Sequence, residues 1–269
     1  VRRSNDPCSS KLSDTVTGAT LLGPVRSGGK FFALVLDVFV TMFRPPFAWR
    51  EFLDQTWFVA RVSLLPSLVL AVPFVVMAVF TINVLLVEFG AADYSGSGAS
   101  LSAVNQLGPF VTVLVVAGAG ATAMCADLGA RTIREELDAM RVMGIDPIQA
   151  LVVPRVLAAT VVAFLLSSLV TLTGLIGGFF FAVFVQHVTA GAFVAGMTII
   201  TGLTDVIVSM IKATLFGLTS GLIACYKGIN VGGGPAAVGN AVNETVVFSF
   251  IFLLLINAVM TAIGFQVGK

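Results

Sequence analysis

The side chains able to do covalent or metal chemistry are few and far apart in this sequence. There is one histidine, His187, and there are three cysteines, Cys8, Cys125 and Cys225. Metal centres and Ser/His or Cys/His nucleophiles need a partner close to the imidazole or thiol, and neither an H-E-x-x-H run nor a paired-cysteine spacing supplies one. Cys125 and Cys225 read as small apolar residues within helices. Gly28-Gly29-Lys30 has the look of a phosphate loop, but Phe31 stands where Ser or Thr must hold Mg²⁺, and Gly23 is out of register. Gly232-Gly233-Gly234 has no Lys-Ser/Thr after it. The expectation is a chain with no catalytic residues, no metal site and no bound cofactor, and with no ATP site of its own.

Charge is concentrated instead in one short stretch, Arg131-Thr-Ile-Arg-Glu-Glu-Leu-Asp-Ala-Met-Arg-Val-Met-Gly-Ile-Asp-Pro147. Ile133, Leu137 and Met140 recur at helical spacing, and Arg131 with Glu135 and Arg134 with Asp138 stand four apart, as ion pairs on one helix do. Gly144 suits a helix stop, and Asp146-Pro147 suits a restart. The spacing predicts a short amphipathic helix over 131–144. It has two readings: a solvated connector, or a coupling helix that docks into a groove of a cytosolic motor. A second polar stretch, Ala224 to Asn243, predicts a helix end, a glycine-rich turn and a new helix.

The elements that must position these segments are dictated by composition. Of the 269 residues, 57% are hydrophobic and 11% charged, with a net charge of +1, and the mean hydropathy is +1.02. Soluble domains carry roughly 25% charged residues, so lipid must cover most of this exterior; a nucleic-acid footprint is absent. About 20 apolar residues span a bilayer. Charge-free runs at 62–87, 107–126, 156–186 and 245–268 reach that length, and 206–226 reads as a fifth span despite Lys212. No cleavable signal peptide is visible in the polar first 25 or so residues. The fold class expected is an all-α integral membrane protein, with N-terminal interfacial elbow helices followed by five transmembrane helices.

Lys and Arg alternate between loops. Eight precede span one, from Arg2 to Arg61; Arg131, Arg134, Arg141 and Arg155 follow span two; Lys227 follows span four. The loops 88–106 and 187–205 have none. The positive-inside rule then places the N-terminus inside and the C-terminus outside. Ahead of span one, residues 1–27 form a polar tail. Residues 28–61, with Arg44-Pro45-Pro46, Trp49 and Trp57, read as amphipathic helices in the headgroup plane. Pro66 and Pro73 make span one either kinked or re-entrant around a cavity. Lys212 lies about 10 Å inward from Asp205; it either faces protein, water or a headgroup, or snorkels to the interface. Gly118, Gly120, Gly174, Gly177 and Gly178 read as close-packing sites. Asn83 and Asn257 either bridge helices or touch substrate.

In order along the chain, Gln106-Leu-Gly-Pro109, Ala126-Asp-Leu-Gly129, Glu135-Glu-Leu-Asp-Ala-Met140, Met143-Gly-Ile-Asp-Pro147, Pro154-Arg155 and Cys225-Tyr-Lys-Gly228 resemble the MlaE/YrbE family of permeases. The likeness covers about 44–268. The Arg-Glu-Glu-Leu-Asp-Ala-Met run and the elbow Arg44-Pro-Pro-Phe-Ala-Trp-Arg-Glu-Phe52 look most like the actinobacterial Mce-associated YrbE branch, as an A-type subunit. The resemblance implies the permease of an ABC-type lipid transporter in the plasma (inner) membrane. Its partners would be a second YrbE/MlaE-type permease in a heterodimer, a cytosolic ABC ATPase pair that carries ATP and Mg²⁺, and periplasmic Mce-domain proteins. The cargo would be a lipid: fatty or mycolic acid, sterol or phospholipid. Residues Arg134, Glu135, Glu136, Asp138, Met140, Arg141, Met143 and Asp146 would contact the ATPase, and Asn83, Gln106 and Lys212 would belong to the lipid cavity. Family members often carry an acidic residue at the place of Gln106 and an arginine at that of Ala119, which implies a less polar cavity here. The competing classes are a gradient-driven transporter, expected to show paired intramembrane carboxylates or inverted repeats, and a non-transporting membrane scaffold.

Overall fold

A computed structural model describes residues 28–44, 47–91, 94–200 and 202–267. The tail 1–27, Pro45-Pro46 of the elbow and Gly268 at the end of the fifth expected span lie outside the described residues. Among the described residues the secondary structure is helical, with no strand. The chain divides into two units, Val1–Pro45 and Pro46–Lys269.

The first unit contributes helix α1, residues 28–42. Phe32, Leu36, Val40 and Phe43 are exposed along it, and their spacing of four, four and three sets them in one apolar stripe. The second unit holds five helices long and apolar enough to cross a bilayer: α2 (Trp49–Glu88), α3 (Ser95–Ile133), α5 (Ile148–Phe184), α7 (Leu203–Ile229) and α8 (Pro235–Val267). Short helices α4 (Glu136–Val142) and α6 (Ala190–Ile200) lie between them. Large apolar side chains point outward along these helices, among them Leu65, Val69, Met77, Leu172, Ile176, Ile251 and Leu255. A soluble monomer does not expose apolar surface on this scale, and lipid is the solvent that fits. The chain is an all-α integral membrane protein.

Span one departs from its expected outline. Arg61 is not a helix boundary; α2 runs unbroken from Trp49 to Glu88. Pro66 lies inside the α-helical part, and Pro73 opens a π-turn at Val72–Val76. The i→i+5 register there absorbs the missing proline N–H, so the helix passes both prolines without reversing. Its buried face is Gln55, Val59, Ser63, Ser67, Ala71, Val75, Val79 and Asn83, one residue in four. A four-residue repeat drifts by about 40° per step on an ideal helix, so this face winds gradually around α2 as it follows α5. The fit depends on missing side chains opposite: a Cβ at Gly174, Gly177 or Gly178 of α5 would stand 2.3, 2.4 or 2.6 Å from a methyl of Val75, Val76 or Val79. Gly118, grouped with them by sequence, has no atom within 4 Å of a Cβ position and packs against nothing.

Two stretches expected as loops are helical. Ser95-Gly-Ser-Gly-Ala-Ser100 forms the first turns of α3, and 190–200 forms α6. Neither has helical propensity in its favour; burial against the other supplies it. Ser97 Oγ donates to the Gly196 carbonyl at 2.6 Å, and Gly96 lies so close to the Phe193 carbonyl that no Cβ fits. On the opposite face of the bundle α7 and α8 are joined by the glycine-rich turn, where Gly234 takes φ +98° and Pro235 opens α8. Lys227 pairs with Glu244 across it.

Candidate functional site

The face carrying the glycine-rich turn also carries the charged segment, and there the chain does something the periodicity did not foresee. Helix α3 stops at Ile133. Glu135 adopts φ +58°, ψ +19°, a left-handed conformation, and α4 starts afresh at Glu136. The two pairs expected at i,i+4, Arg131 with Glu135 and Arg134 with Asp138, are therefore not formed, because the break ends the helix they needed to share. Arg131 turns back to Asp127 (3.5 Å), Arg134 meets Glu136 (2.9 Å), and Arg141 meets Asp138 (2.8 Å).

Helix α4 is short, and its stop is well made. Gly144 takes φ +78°. Its N–H donates to the Arg141 carbonyl, while the Ile145 N–H donates to that of Met140 at 2.9 Å, the pair of bonds that defines a Schellman cap. Asp146 Oδ1 then accepts from the Ile148 N–H at 3.0 Å and opens α5. Leu137 is buried and Met140 half-buried, which holds α4 to the bundle; Val142 (89% exposed), Met143 (67%) and Ile145 project outward. A shallow groove bordered by Arg141, Gly144, Ile145, Asp146 and Ile148 lies beside them. Arg134, Glu135, Asp138, Arg141, Met143 and Asp146 are all exposed, and Glu136 and Met140 partly so. The structure thus gathers all eight residues singled out for docking onto one exposed knuckle with an apolar tip and a charged rim.

Beneath this knuckle lies a feature the sequence reading did not resolve. Arg155, two residues into the α-helical part of α5, has no exposed surface at all. Its Nη2 donates to Asp127 Oδ2 of α3 at 2.5 Å and stands 3.9 Å from Glu51 Oε1 of α2. Glu51 Oε1 also accepts from Gln55 Nε2 at 2.9 Å. Arg155 Nε and Nη1, and Gln55 Oε1, are buried without a hydrogen-bond partner among the described residues. One turn and a bit beyond Asp127, Thr132 Oγ1 donates to the Gly228 carbonyl of α7 at 3.0 Å. The signal was present in the sequence, in Ala126-Asp127 and Pro154-Arg155 at the ends of apolar runs, but Glu51 had been assigned to a headgroup-plane elbow.

The three residues expected in a cavity are not brought together. Asn83 is fully buried on α2 against the first turns of α3, with both amide atoms unpartnered. Lys212 (3% exposed) sits between α7 and α8, where Nζ donates to Thr261 Oγ1 at 2.9 Å and Thr261 Oγ1 in turn donates to the Asn257 carbonyl. Gln106 is exposed on α3. None of them lines the cavity of about 300 Å³ between α3, α5 and α7, whose walls are Val104, Phe164, Leu172 and Met210 with the hydroxyls of Ser168, Thr171 and Ser209. The two buried cysteines lie in helix contacts, Cys125 accepting from Thr245 Oγ1 at 3.2 Å.

The chain is similar in sequence to known proteins over most of its length. The family model described as Permease MlaE matches residues 52–263. A protein of Synechocystis sp. described as a probable ABC transporter permease is 31% identical over 237 residues, covering 87% of this chain and 89% of its own. A Rickettsia typhi protein of the same description is 32% identical, covering 67% of this chain and 70% of its own. The intermembrane phospholipid transport system permease protein MlaE of Haemophilus influenzae is 30% identical over 69% of this chain and 71% of its own. With most of its length matched, the chain belongs to the MlaE permease family.

Proposed function

We propose that this chain is the membrane-spanning permease subunit of an Mce-type ABC transporter that moves lipids across the cell envelope, driven by a separate cytosolic ATPase docked on α4. The observation that carries the reading is the α3–α4–α5 knuckle. It is a short helix set off from α3 by a left-handed residue, closed by a glycine cap, and tipped with the exposed apolar side chains Val142, Met143 and Ile145. A solvated connector has no use for such a tip, whereas a protein groove does. The residues in contact with the ATPase are Arg134, Glu135, Glu136, Asp138, Met140, Arg141, Met143 and Asp146, and ATP and Mg²⁺ reside on that partner.

The Lys/Arg distribution puts the knuckle and the N-terminus in the cytoplasm and the C-terminus in the periplasm of a plasma (inner) membrane protein. The chain then comprises a tail over 1–27, an elbow over 28–61 whose second half is the first turns of α2, and a permease domain over 62–268. It is an A-type member of the YrbE branch, pairs with a second, different permease, and delivers to or receives from Mce-domain proteins. Asn83, Gln106 and Lys212 contribute to the lipid path; the cargo class extends over fatty or mycolic acids, sterols and phospholipids. The test is purification of the tagged chain from native membranes in mild detergent, beside a variant with Glu135, Glu136 and Asp138 changed to Lys. The unmodified chain brings down a P-loop ATPase; the variant inserts normally and loses it. An ATPase recovered at undiminished stoichiometry on the triple variant removes α4 as the docking element.

A further inference from the structure

Arg155 is in an unusual position for a cation. It is wholly buried at the end of the bundle beneath α4, and it faces two carboxylates on two other helices. Only one of them, Asp127, is within hydrogen-bond range; Glu51 stands at 3.9 Å, held by Gln55. A guanidinium carries five N–H donors in a rigid fork, yet Nε and Nη1 have no acceptor in this arrangement. A buried charge with unused donors and a second acceptor just out of reach is not at its only good position. A small displacement of α3 relative to α2 and α5, with a turn of the Arg155 guanidinium, is enough to lengthen one bond and shorten the other.

The two carboxylates are also mechanically distinct. Asp127 belongs to α3, the helix that ends two turns later at the Glu135 break and carries α4; Glu51 belongs to the first turn of α2. Thr132, hydrogen-bonded to Gly228, ties the same stretch of α3 to α7. A displacement of α4 therefore reaches Asp127 through the short Arg134-Glu135 junction and the last two turns of α3.

We propose that Arg155 is a positioning residue that couples α4 to the spans by exchanging its hydrogen bond between Asp127 and Glu51 during the transport cycle. This rests on the reading of α4 as the ATPase docking element. In the arrangement described here Arg155 is with Asp127; in the other it is with Glu51, and α2 and α5 shift together relative to α3. Both carboxylates are needed for the two states to be close in energy, because a two-state element responds to a partner only when each state has its own contacts.

The experiment compares Glu51→Gln and Asp127→Asn with the unmodified chain, each as the full complex purified from native membranes. Three quantities are read: recovery of the ATPase, melting temperature, and cellular uptake per ATP hydrolysed of a radiolabelled fatty acid, sterol or phospholipid, whichever the unmodified complex moves. Glu51→Gln, which removes only the partner not now bonded, is expected to keep ATPase recovery and melting unchanged while uptake per ATP falls at least tenfold. Asp127→Asn is expected to lower both melting and uptake. A static brace gives the opposite for Glu51→Gln: uptake per ATP stays at the unmodified level, or falls only in step with melting, and either result overturns the exchange. Failure of the unmodified chain to retain an ATPase overturns the docking reading and this inference together, whereas a retained ATPase with normal coupling in Glu51→Gln overturns this inference alone.

Discussion

Gly144 tests whether α4 is held as a defined helix by its C-terminal cap. Its φ of +78° is open to glycine and costs other L-residues on the order of 1–2 kcal/mol. No atom comes within 4 Å of the place a Cβ would take, so substitution there adds backbone strain and nothing else. The strain falls on the two cap bonds, Gly144 N–H to Arg141 and Ile145 N–H to Met140. Helix α4 has seven residues, well below the roughly 12–15 at which an isolated helix becomes marginal, so it cannot compensate for a lost cap by propensity. A penalty of about 1–2 kcal/mol shifts the local opening equilibrium roughly 5- to 30-fold. Hydrogen exchange of the purified chain in detergent reads this directly, since local opening is reported amide by amide. Gly144→Ala is expected to raise exchange at residues 143–145 by that factor, with the melting temperature lowered by a few degrees at most. Gly144→Asn, which tolerates the left-handed region, is expected to restore most of the protection. Equal protection in Gly144→Ala and the unmodified chain, or equal losses with Ala and Asn, would refute the cap and with it the account of α4 as a pre-formed knuckle.

Two further predictions concern the spans. Gly217→Ala drives a Cβ to 2.5 Å from the Ala159 carbonyl and 2.6 Å from Thr160 Cα, both backbone atoms that cannot rotate away; overpacking of this kind costs about 1–3 kcal/mol, so the melting temperature in detergent falls, while Gly118→Ala, with open space around it, melts no lower than the unmodified chain. Gly217→Ala melting unchanged means α5 and α7 do not pack as described. Trp49 and Trp57 are both exposed on α2, and eight residues of upright helix separate them by about 12 Å in depth. In single-tryptophan variants, lipids brominated deep in the acyl chain should quench Trp57 more than Trp49. Equal quenching by shallow bromines puts both in the headgroup plane and contradicts a continuous α2.

How much of this was legible in the sequence varies with the physical cause. The five spans were, because long apolar runs have few soluble alternatives and the absence of Lys and Arg in alternate loops marks the reversals. Their ends were not. Ser95 to Ser100 offers neither apolar periodicity nor helix propensity, and only the close approach of α6, through Gly96 and Ser97, makes it helical. The first turns of α2 were read as a separate element because Arg50, Glu51 and Asp54 looked like headgroup-facing charge. Glu51 instead faces the interior, and helix continuity across Arg61 follows from that inward packing. In the charged loop the residue types and the Gly144 stop were visible, but the break at Glu135 was not: a left-handed glutamate has no sequence signature, and this one residue redirects both of the ion pairs expected across it.

The two buried cations show why pairing is harder to read than burial. Among the described residues Arg155 and Lys212 are both withdrawn from the surface; for Lys212 sequence position alone says that a charge within an apolar run needs company, whereas Arg155 reads only as a loop charge. For Arg155 the company is carboxylate, from Asp127 and Glu51 on helices that sequence gave no reason to bring to one point. Removing Asp127, the acceptor that Arg155 is bonded to, leaves a buried charge partly unmatched and destabilises the bundle; that pair therefore belongs to the fold before it belongs to any mechanism. For Lys212 the only bond among the described residues is to the neutral hydroxyl of Thr261, with no carboxylate in ion-pair range there. Its charge is thus not balanced within the described helices. That contrast, and not depth in the membrane, is the reason Lys212 stays among the proposed lipid-path residues while Arg155 is assigned to the machinery that moves the helices.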